Sequence, residues 1–343
     1  MIRTLVVDDS AFMRKVVSDI LSKDPRFTVI GTARNGRDAL SKVKMLKPDL
    51  LTMDVEMPEM GGLEALRELM AEHPLPVIML SSVTKQGTEQ TITAMELGAV
   101  DFVAKPSGSI SLDMDKIAGE LVEKAAAAAK AGINKKPVPE AAPNETVTAP
   151  EDSGSGRIVV LGTSTGGPKA LQQFLTRLPS NFPRPIFIVQ HMPAGFTKSL
   201  STRLHQLSEI SVKEAEHGEI AKKGVAYIAP GGYHLTIRKI GTSVAIQLEQ
   251  GELVNGHRPS VDPLFQSAYH AGFKGTVGII MTGMGSDGKE GARLLKQEKG
   301  TILLAETESS CVVYGMPRAV MEAGLVDDTA SAGRMAELLM KYC

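Results

Sequence analysis

A chain of 343 residues is long enough for roughly two domains, each with a core of its own. Its 38 Lys and Arg against 39 Asp and Glu leave a net charge of −1, which supports neither a nucleic-acid-binding nor a membrane-binding surface. Apolar runs of only a few residues exclude a membrane-spanning helix, which needs about 20. The start MIRTLVVDDS has no basic segment followed by a long apolar one, and Cys311 and Cys343 stand in no metal-ligand spacing, so a reduced cytoplasmic protein is expected.

From residue 1 to about 122, short β-rich runs alternate with helical patterns: TLVVDD, AFMRKVVSDIL, FTVIGTA, GRDALSKVKML, DLLTMDV, GLEALRELMAE, PVIMLSS, GTEQTITAMELG, DFVAKP and a last helix from about Met114. Five strands alternating with five helices predict a (βα)5 doubly wound parallel sheet, because parallel neighbours need crossover helices. In such a sheet the carboxyl ends of the strands converge on one crevice, and these carry Asp8, Asp9, Asp54, Ser81 and Lys105. Three carboxylates at two strand ends repel one another unless a cation joins them, and hard oxygen ligands suit Mg2+. One of them can then accept a phosphoryl group, with the Lys105 ammonium and Ser81 hydroxyl on its oxygens.

This stretch resembles a response-regulator receiver domain through VVDDS, LLTMDVEMPEMGG, LSS and DFVAKP, in the family's order. The resemblance implies Asp54 as phosphoacceptor and Asp9 and Asp54 as direct Mg2+ ligands. It also implies a water-mediated or electrostatic part for Asp8, a further ligand from the Glu56 carbonyl, and Ser81 and Phe102 as switch residues.

Residues 123 to 156 run from a helix tail, KAAAAAKAG, into a Pro- and Ala-rich stretch with almost nothing large and apolar, which reads as a flexible linker. Residues 157 to 343 again mix strands and helices: RIVVLGTS, a helix from Pro168, PIFIVQHM, a helix from about Phe196, GVAYIAPGG, HLTIRKI and SVAIQLE, DPLFQSAYHAG, TVGIIMTG, a helix, TILLAE and a last helix. The expectation is a second doubly wound α/β domain with a β-hairpin insertion, too large for a compact basic DNA-binding output.

Three strand ends in this half carry candidate chemistry. Gly162-Thr163-Ser164-Thr165-Gly166 fits G-x-S-x-G between a strand and a helix, which presents a hydroxyl at a sharp turn or, alternatively, caps the helix or binds phosphate. His191 ends PIFIVQH on the same rim if the strands are parallel, whereas His217, His234, His257 and His270 lie among polar or loop-like residues. Asp287 lies within TGMGSDG, residues 282 to 288, which also matches a dinucleotide fingerprint through Gly283, Gly285 and Gly288, with Glu306 about twenty positions on. A fixed carboxylate facing a pyrophosphate disfavours the nucleotide reading; at a helix start the same carboxylate stays ionised and can orient His191. A nucleotide-binding oxidoreductase and a non-catalytic, phosphorylation-gated adaptor remain the rival readings.

GTSTGGP, QHMP, NGHRPSVDPLF and TGMGSDG, behind a receiver and a linker, resemble the chemotaxis protein-glutamate methylesterase family. The resemblance implies Ser164 as nucleophile, His191 as general base and acid, Asp287 as orienting carboxylate and the Met284 N–H in the oxyanion hole. It implies ester hydrolysis at receptor glutamates, deamidation of receptor glutamines, and no cofactor in the catalytic half. Implied partners are methyl-accepting chemoreceptors as substrate and the chemotaxis histidine kinase as phosphodonor; a monomer is expected.

Overall fold

The computed structural model describes residues 1–105, 110–131 and 157–343. The chain divides into two compact units, Met1–Val138 and Pro139–Cys343. In the first, strands β1 (Ile2–Val7), β2 (Phe27–Ala33), β3 (Leu50–Asp54), β4 (Val77–Ser81) and β5 (Asp101–Ala104) alternate with helices α1 (Ala11–Ser22), α2 (Gly36–Leu46), α3 (Gly62–Glu72), α4 (Lys85–Leu97) and α5 (Ile110–Lys130). The sheet is parallel throughout, in the order β2-β1-β3-β4-β5. Every residue of β3 and β4 is buried, as expected of central strands covered by helices on both faces.

Local chemistry starts the helices where the sequence places them: Ser10, Asn35 and Thr84 are N-caps whose side chains accept from Met13, Asp38 and Gly87 N–H. Helix α5 starts at Ile110, four residues ahead of the expected Met114, and runs to Lys130 through the Ala-rich tail, where helix propensity is highest. The linker residues from 132 to 156 lie outside the described residues.

The second unit holds β6 (Val159–Thr163), α6 (Gly167–Leu175), β7 (Ile186–Gln190), α7 (Phe196–Leu207), β8 (Ser211–Glu214), β9 (Val225–Ile228), the hairpin β10 (His234–Ile240) and β11 (Ser243–Glu249), and α8 (Val261–His270). It continues with β12 (Val277–Ile280), α9 (Lys289–Leu295), β13 (Ile302–Glu306), α10 (Met316–Glu322), β14 (Asp328–Ala330) and α11 (Met335–Met340). Seven strands form one parallel sheet, β14-β13-β12-β6-β7-β9-β8, and β10 and β11 form an antiparallel sheet of their own. The expected doubly wound sheet and hairpin insertion are both present. Strands β8 and β14 are not among the expected elements, and two helices, α10 and α11, follow β13 where one is expected. Those two strands are the edges of the sheet, short and only partly buried, so their hydrophobic pattern is weak.

The core lies on both faces of this sheet. Phe187 and Tyr227 stack at 5.7 Å between ring centroids, and with Val261, Phe265 and Leu295 they fix α8 and α9 on the sheet. Buried Ala170, Leu171, Phe174 and Leu175 follow the helical spacing of α6. Chain order reverses about β6, which has β7 on one side and β12 on the other, and the crevice at such a switch point is where open α/β sheets place their sites.

Candidate active site and phosphoacceptor site

Register sets the catalytic candidates side by side. Thr163 pairs with Gln190 and Gly162 with both Val189 and Ile280, so Ser164 and His191 each follow a registered pair at neighbouring strand ends. Thr282 lies opposite Ser164, whose N–H donates to the Thr282 carbonyl at 2.9 Å. The Thr163 hydroxyl donates to the same carbonyl at 2.8 Å, and the Thr282 hydroxyl donates to the Thr165 carbonyl at 2.9 Å. From the other side, Gln190 Nε2 donates to the carbonyls of Ser164 (3.0 Å) and His191 (3.1 Å). The turn that carries Ser164 is thus held from both neighbouring strands.

His191 Nε2 lies 2.7 Å from Asp287 Oδ2. Its Nδ1 is buried and has no hydrogen-bond partner among the described residues. The Asp287 carboxylate is itself 3 % exposed and ringed by donors. Oδ1 accepts from Asn255 Nδ2 (2.7 Å), Ser260 Oγ (2.8 Å), Gly288 N–H (3.0 Å) and Asp262 N–H (3.2 Å), and Oδ2 accepts from Val261 N–H (2.7 Å). Burial raises this carboxyl's pKa, but His191, the Val261 amide and Asn255 outweigh it and hold the group well below the usual carboxylate range. The helix start that Asp287 precedes contributes the Gly288 N–H, as the expectation of a dipole and free N–H groups there implies. The Val261 and Asp262 N–H groups come from the start of α8, which no spacing around Asp287 reveals.

NGHRPSVDPLF, whose role the sequence left open, supplies that surround. Asn255 has a left-handed φ of 55°, and Val254 and His257 exchange backbone hydrogen bonds across the turn. The turn lays the His257 ring on His191, 3.8 Å between centroids and 17° from parallel, although His257 is an unremarkable loop histidine in sequence.

The glycines of TGMGSDG act through space and φ. Gly285 and Gly288 have φ of 83° and 89°, and a Cβ on Gly283 would lie 2.8 Å from Ser164 Cβ and 2.4 Å from Met316 Sδ. Gly283→Ala is therefore expected to displace Ser164 and slow labelling of its hydroxyl by a fluorophosphonate on the order of a hundredfold while the protein stays folded, read from the labelling rate beside circular dichroism. Met284 N–H donates to no group among the described residues. Glu306, the acid of the dinucleotide reading, is 1 % exposed and accepts from Thr282 N–H at 2.8 Å and Ser310 Oγ at 2.7 Å, so it is committed inside the fold and out of reach of a ribose.

In the first unit, Val7 pairs with Met53 and Ser81 with Ala104, which brings Asp8, Asp54 and Lys105 to one edge of the sheet. Lys105 Nζ lies 2.9 Å from Asp8 Oδ2 and 2.7 Å from Asp54 Oδ2. Carboxylate oxygens of Asp8, Asp9 and Asp54 all lie within 4.8 Å of one another, a cluster of hard donors that can hold a divalent cation. Burial pushes the Asp54 carboxyl up to about 6, with Lys105 opposing the shift and Asp8 adding to it. Glu56, the other ligand expected, is exposed, with its N–H 3.4 Å from Asp54 Oδ1. Ser81 Oγ is turned to α4, where it donates to the Gly87 carbonyl (3.1 Å) and accepts from Thr91 Oγ1 (2.6 Å), and so is engaged away from Asp54. Phe102 is buried, with Lys124 Nζ 5.1 Å from its ring centroid.

Comparison with known proteins decides the family. The CheB methylesterase family profile matches residues 159–339, and the response regulator receiver domain profile matches residues 4–114. The chain belongs to the CheB methylesterase family. A protein-glutamate methylesterase/protein-glutamine glutaminase of Halalkalibacterium halodurans is 54% identical over 345 residues, covering 100% of this chain and 98% of that one. The Bacillus subtilis protein of the same name is 49% identical over 337 residues, covering 96% and 94%. The CheB methylesterase catalytic domain of Thermotoga maritima, a crystal structure, is 45% identical with a TM-score of 0.53, and covers 55% of this chain and 100% of that one. Among the described residues no helix is long and apolar enough to cross a membrane.

Proposed function

We propose that this CheB-family chain is a serine hydrolase that demethylates glutamate methyl esters of chemoreceptors and deamidates their glutamines, with Ser164, His191 and Asp287 as its triad. The observation that carries the reading is the 2.7 Å His191–Asp287 pair at the strand end beside Ser164. With Nε2–H given to Asp287, the lone pair of Nδ1 is left to take the Ser164 proton, the two ring nitrogens serving the reverse of the familiar arrangement. Ser164 Oγ attacks the side-chain carbonyl as His191 takes its proton, and the Met284 N–H stabilises the oxyanion. His191 returns that proton to the ester oxygen or amide nitrogen as its bond to the carbonyl carbon breaks, so that methanol or ammonia leaves the acyl-enzyme. Water, deprotonated by His191, then releases glutamate. The names of the close relatives support both activities.

Control belongs to Asp54. Phosphoryl transfer to it needs its ionised carboxylate, and the donor set of Asp8, Asp9 and Asp54 with the Glu56 carbonyl fits Mg2+, which when bound neutralises charge on the phosphoryl oxygens. Lys105 would hold one of those oxygens, and the Ser81 hydroxyl would leave Gly87 to reach another. Phe102 is the aromatic that responds to this change. The phosphodonor is the chemotaxis histidine kinase, and the reaction is cytoplasmic, carried out by a monomer whose two units are joined by a linker that begins after α5 and not at residue 123, since that helix runs to Lys130.

The test is methanol and ammonia release from methylated and amidated receptor membranes, with and without a small phosphodonor. Stimulation by phosphodonor is expected in the wild type and absent from Asp54→Asn, whose basal rate is unchanged; equal stimulation of both would sink the assignment of Asp54.

The sign of the Asp54 shift gives a second expectation. A carboxyl raised to about 6 from an unfolded value of about 3.9 contributes stability below pH 4 that is lost as pH rises through 6. Mg2+ takes up the ionised group, so the Mg2+-induced rise in the receiver Tm should be large above pH 6 and shrink towards pH 5. A pH-independent rise would contradict it.

A further inference from the structure

Two buried carboxylates meet behind His191, and one amide joins them. Asn255 Nδ2 is 2.7 Å from Asp287 Oδ1 and 2.8 Å from Asp262 Oδ2, and the two acids are 3 % and 4 % exposed. An amide nitrogen carries two protons, enough for one hydrogen bond to each acid. Asp262 is itself fixed, since its Oδ1 accepts the Gly291 N–H in α9 at 2.7 Å.

We infer that Asn255, anchored by Asp262, is a positioning residue that turns the Asp287 carboxylate so that Oδ2 faces His191. The inference rests on the triad reading and adds to it a residue that touches neither Ser164 nor His191 in the proposed chemistry. Asn255 shares Oδ1 with Ser260 Oγ and the Asp262 and Gly288 N–H groups, and the Val261 N–H holds Oδ2. But Asn255 is the donor that ties this carboxylate to a second buried acid and so fixes the side from which Oδ1 is held while Oδ2 faces His191 Nε2. The two acids are held differently: burial and then the neighbouring Asp287 charge push Asp262 up, whereas Asp287 is held low. Asn255 occupies a left-handed φ that asparagine and glycine tolerate, so the same turn aims its amide and lays His257 over His191.

The experiment compares full-length Asn255→Gly, which keeps the backbone conformation, with Asn255→Asp, which keeps the shape and removes the donor. Ser164→Ala is run alongside. Methanol release from methylated receptor membranes is normalised to the fraction of protein that reacts to completion with a fluorophosphonate. Asn255→Gly is expected to lose kcat by on the order of tenfold to a hundredfold, with KM within about twofold. Asn255→Asp faces Asp262 and Asp287, with His191, His257 and Glu290 as the other titratable groups nearby. Its deficit relative to wild type should be greatest at high pH and shrink as the pH falls, because the protonated acid can donate again. Wild-type kcat/KM in both variants at every pH would overturn the inference, as would a loss that vanishes on normalisation, since Asn255 would then only hold the fold. A fully active Ser164→Ala would instead overturn the triad itself.

Discussion

Ser164→Ala is expected to reduce methanol release by about 10⁴-fold or more in kcat, because in the proposed mechanism it removes the atom that forms the acyl-enzyme. Ser164 is 9 % exposed, and its backbone is held through its N–H and carbonyl by Thr282 and Gln190, contacts that alanine retains. The variant should therefore fold and melt like the wild type, within about 0.5 kcal/mol. Binding of receptor should persist, so KM, or the affinity measured by co-sedimentation with receptor membranes, should change little. An adaptor that only bound receptors would be indifferent to the substitution in every functional assay, and this is where the two readings part.

The second large effect is Asp287→Asn. The carboxylate accepts hydrogen bonds from Asn255, Ser260, Val261, Asp262, Gly288 and His191, and an amide has a single oxygen with which to meet them. Whichever way the amide turns, its NH2 faces donors or forces His191 to present the wrong tautomer. A loss of about 10⁴-fold in kcat follows by the logic of the triad. Unlike Ser164→Ala, it should also cost about 1–3 kcal/mol of stability, because buried donors lose their acceptor. The pH dependence separates this cost from a generic packing defect. A carboxyl depressed in the folded state contributes stability that is present above its unfolded value of about 3.9 and lost as pH falls. The stability gap between wild type and Asp287→Asn should thus be widest above pH 5 and narrow in acid. A gap constant from pH 7 to pH 3 would mean that the carboxylate charge is not what the surrounding donors hold.

Much of this arrangement is legible in the sequence, for a physical reason. A central parallel strand is a short apolar run, and the first polar residue after it stands on the rim of the sheet, so Ser164, His191, Asp8 and Asp54 announce themselves by ending such runs. Strand order is not written there, but once register sets β7 and β12 on either side of β6 the three ends converge. What could not be read is the shell around Asp287. Asn255 and Ser260 lie in a loop of no period and reach a carboxylate 32 and 27 residues away, and the His257 ring earns its place only by the turn that carries it. The glycine pattern of TGMGSDG was informative about shape and misleading about ligand. Gly283 lets the loop approach Ser164, and Glu306, which completes the nucleotide pattern on paper, is buried beneath Thr282.

The most direct measurement is to quench the reaction with a methylated receptor peptide in the first turnovers and map the covalent adduct by mass spectrometry after proteolysis. The account predicts one acyl adduct, on Ser164, that builds up further in Asp287→Asn only if deacylation is slowed more than acylation, and that is absent from Ser164→Ala. An adduct on Thr163 or Thr165, or turnover with no covalent adduct in Ser164→Ala at the wild-type rate, would contradict it.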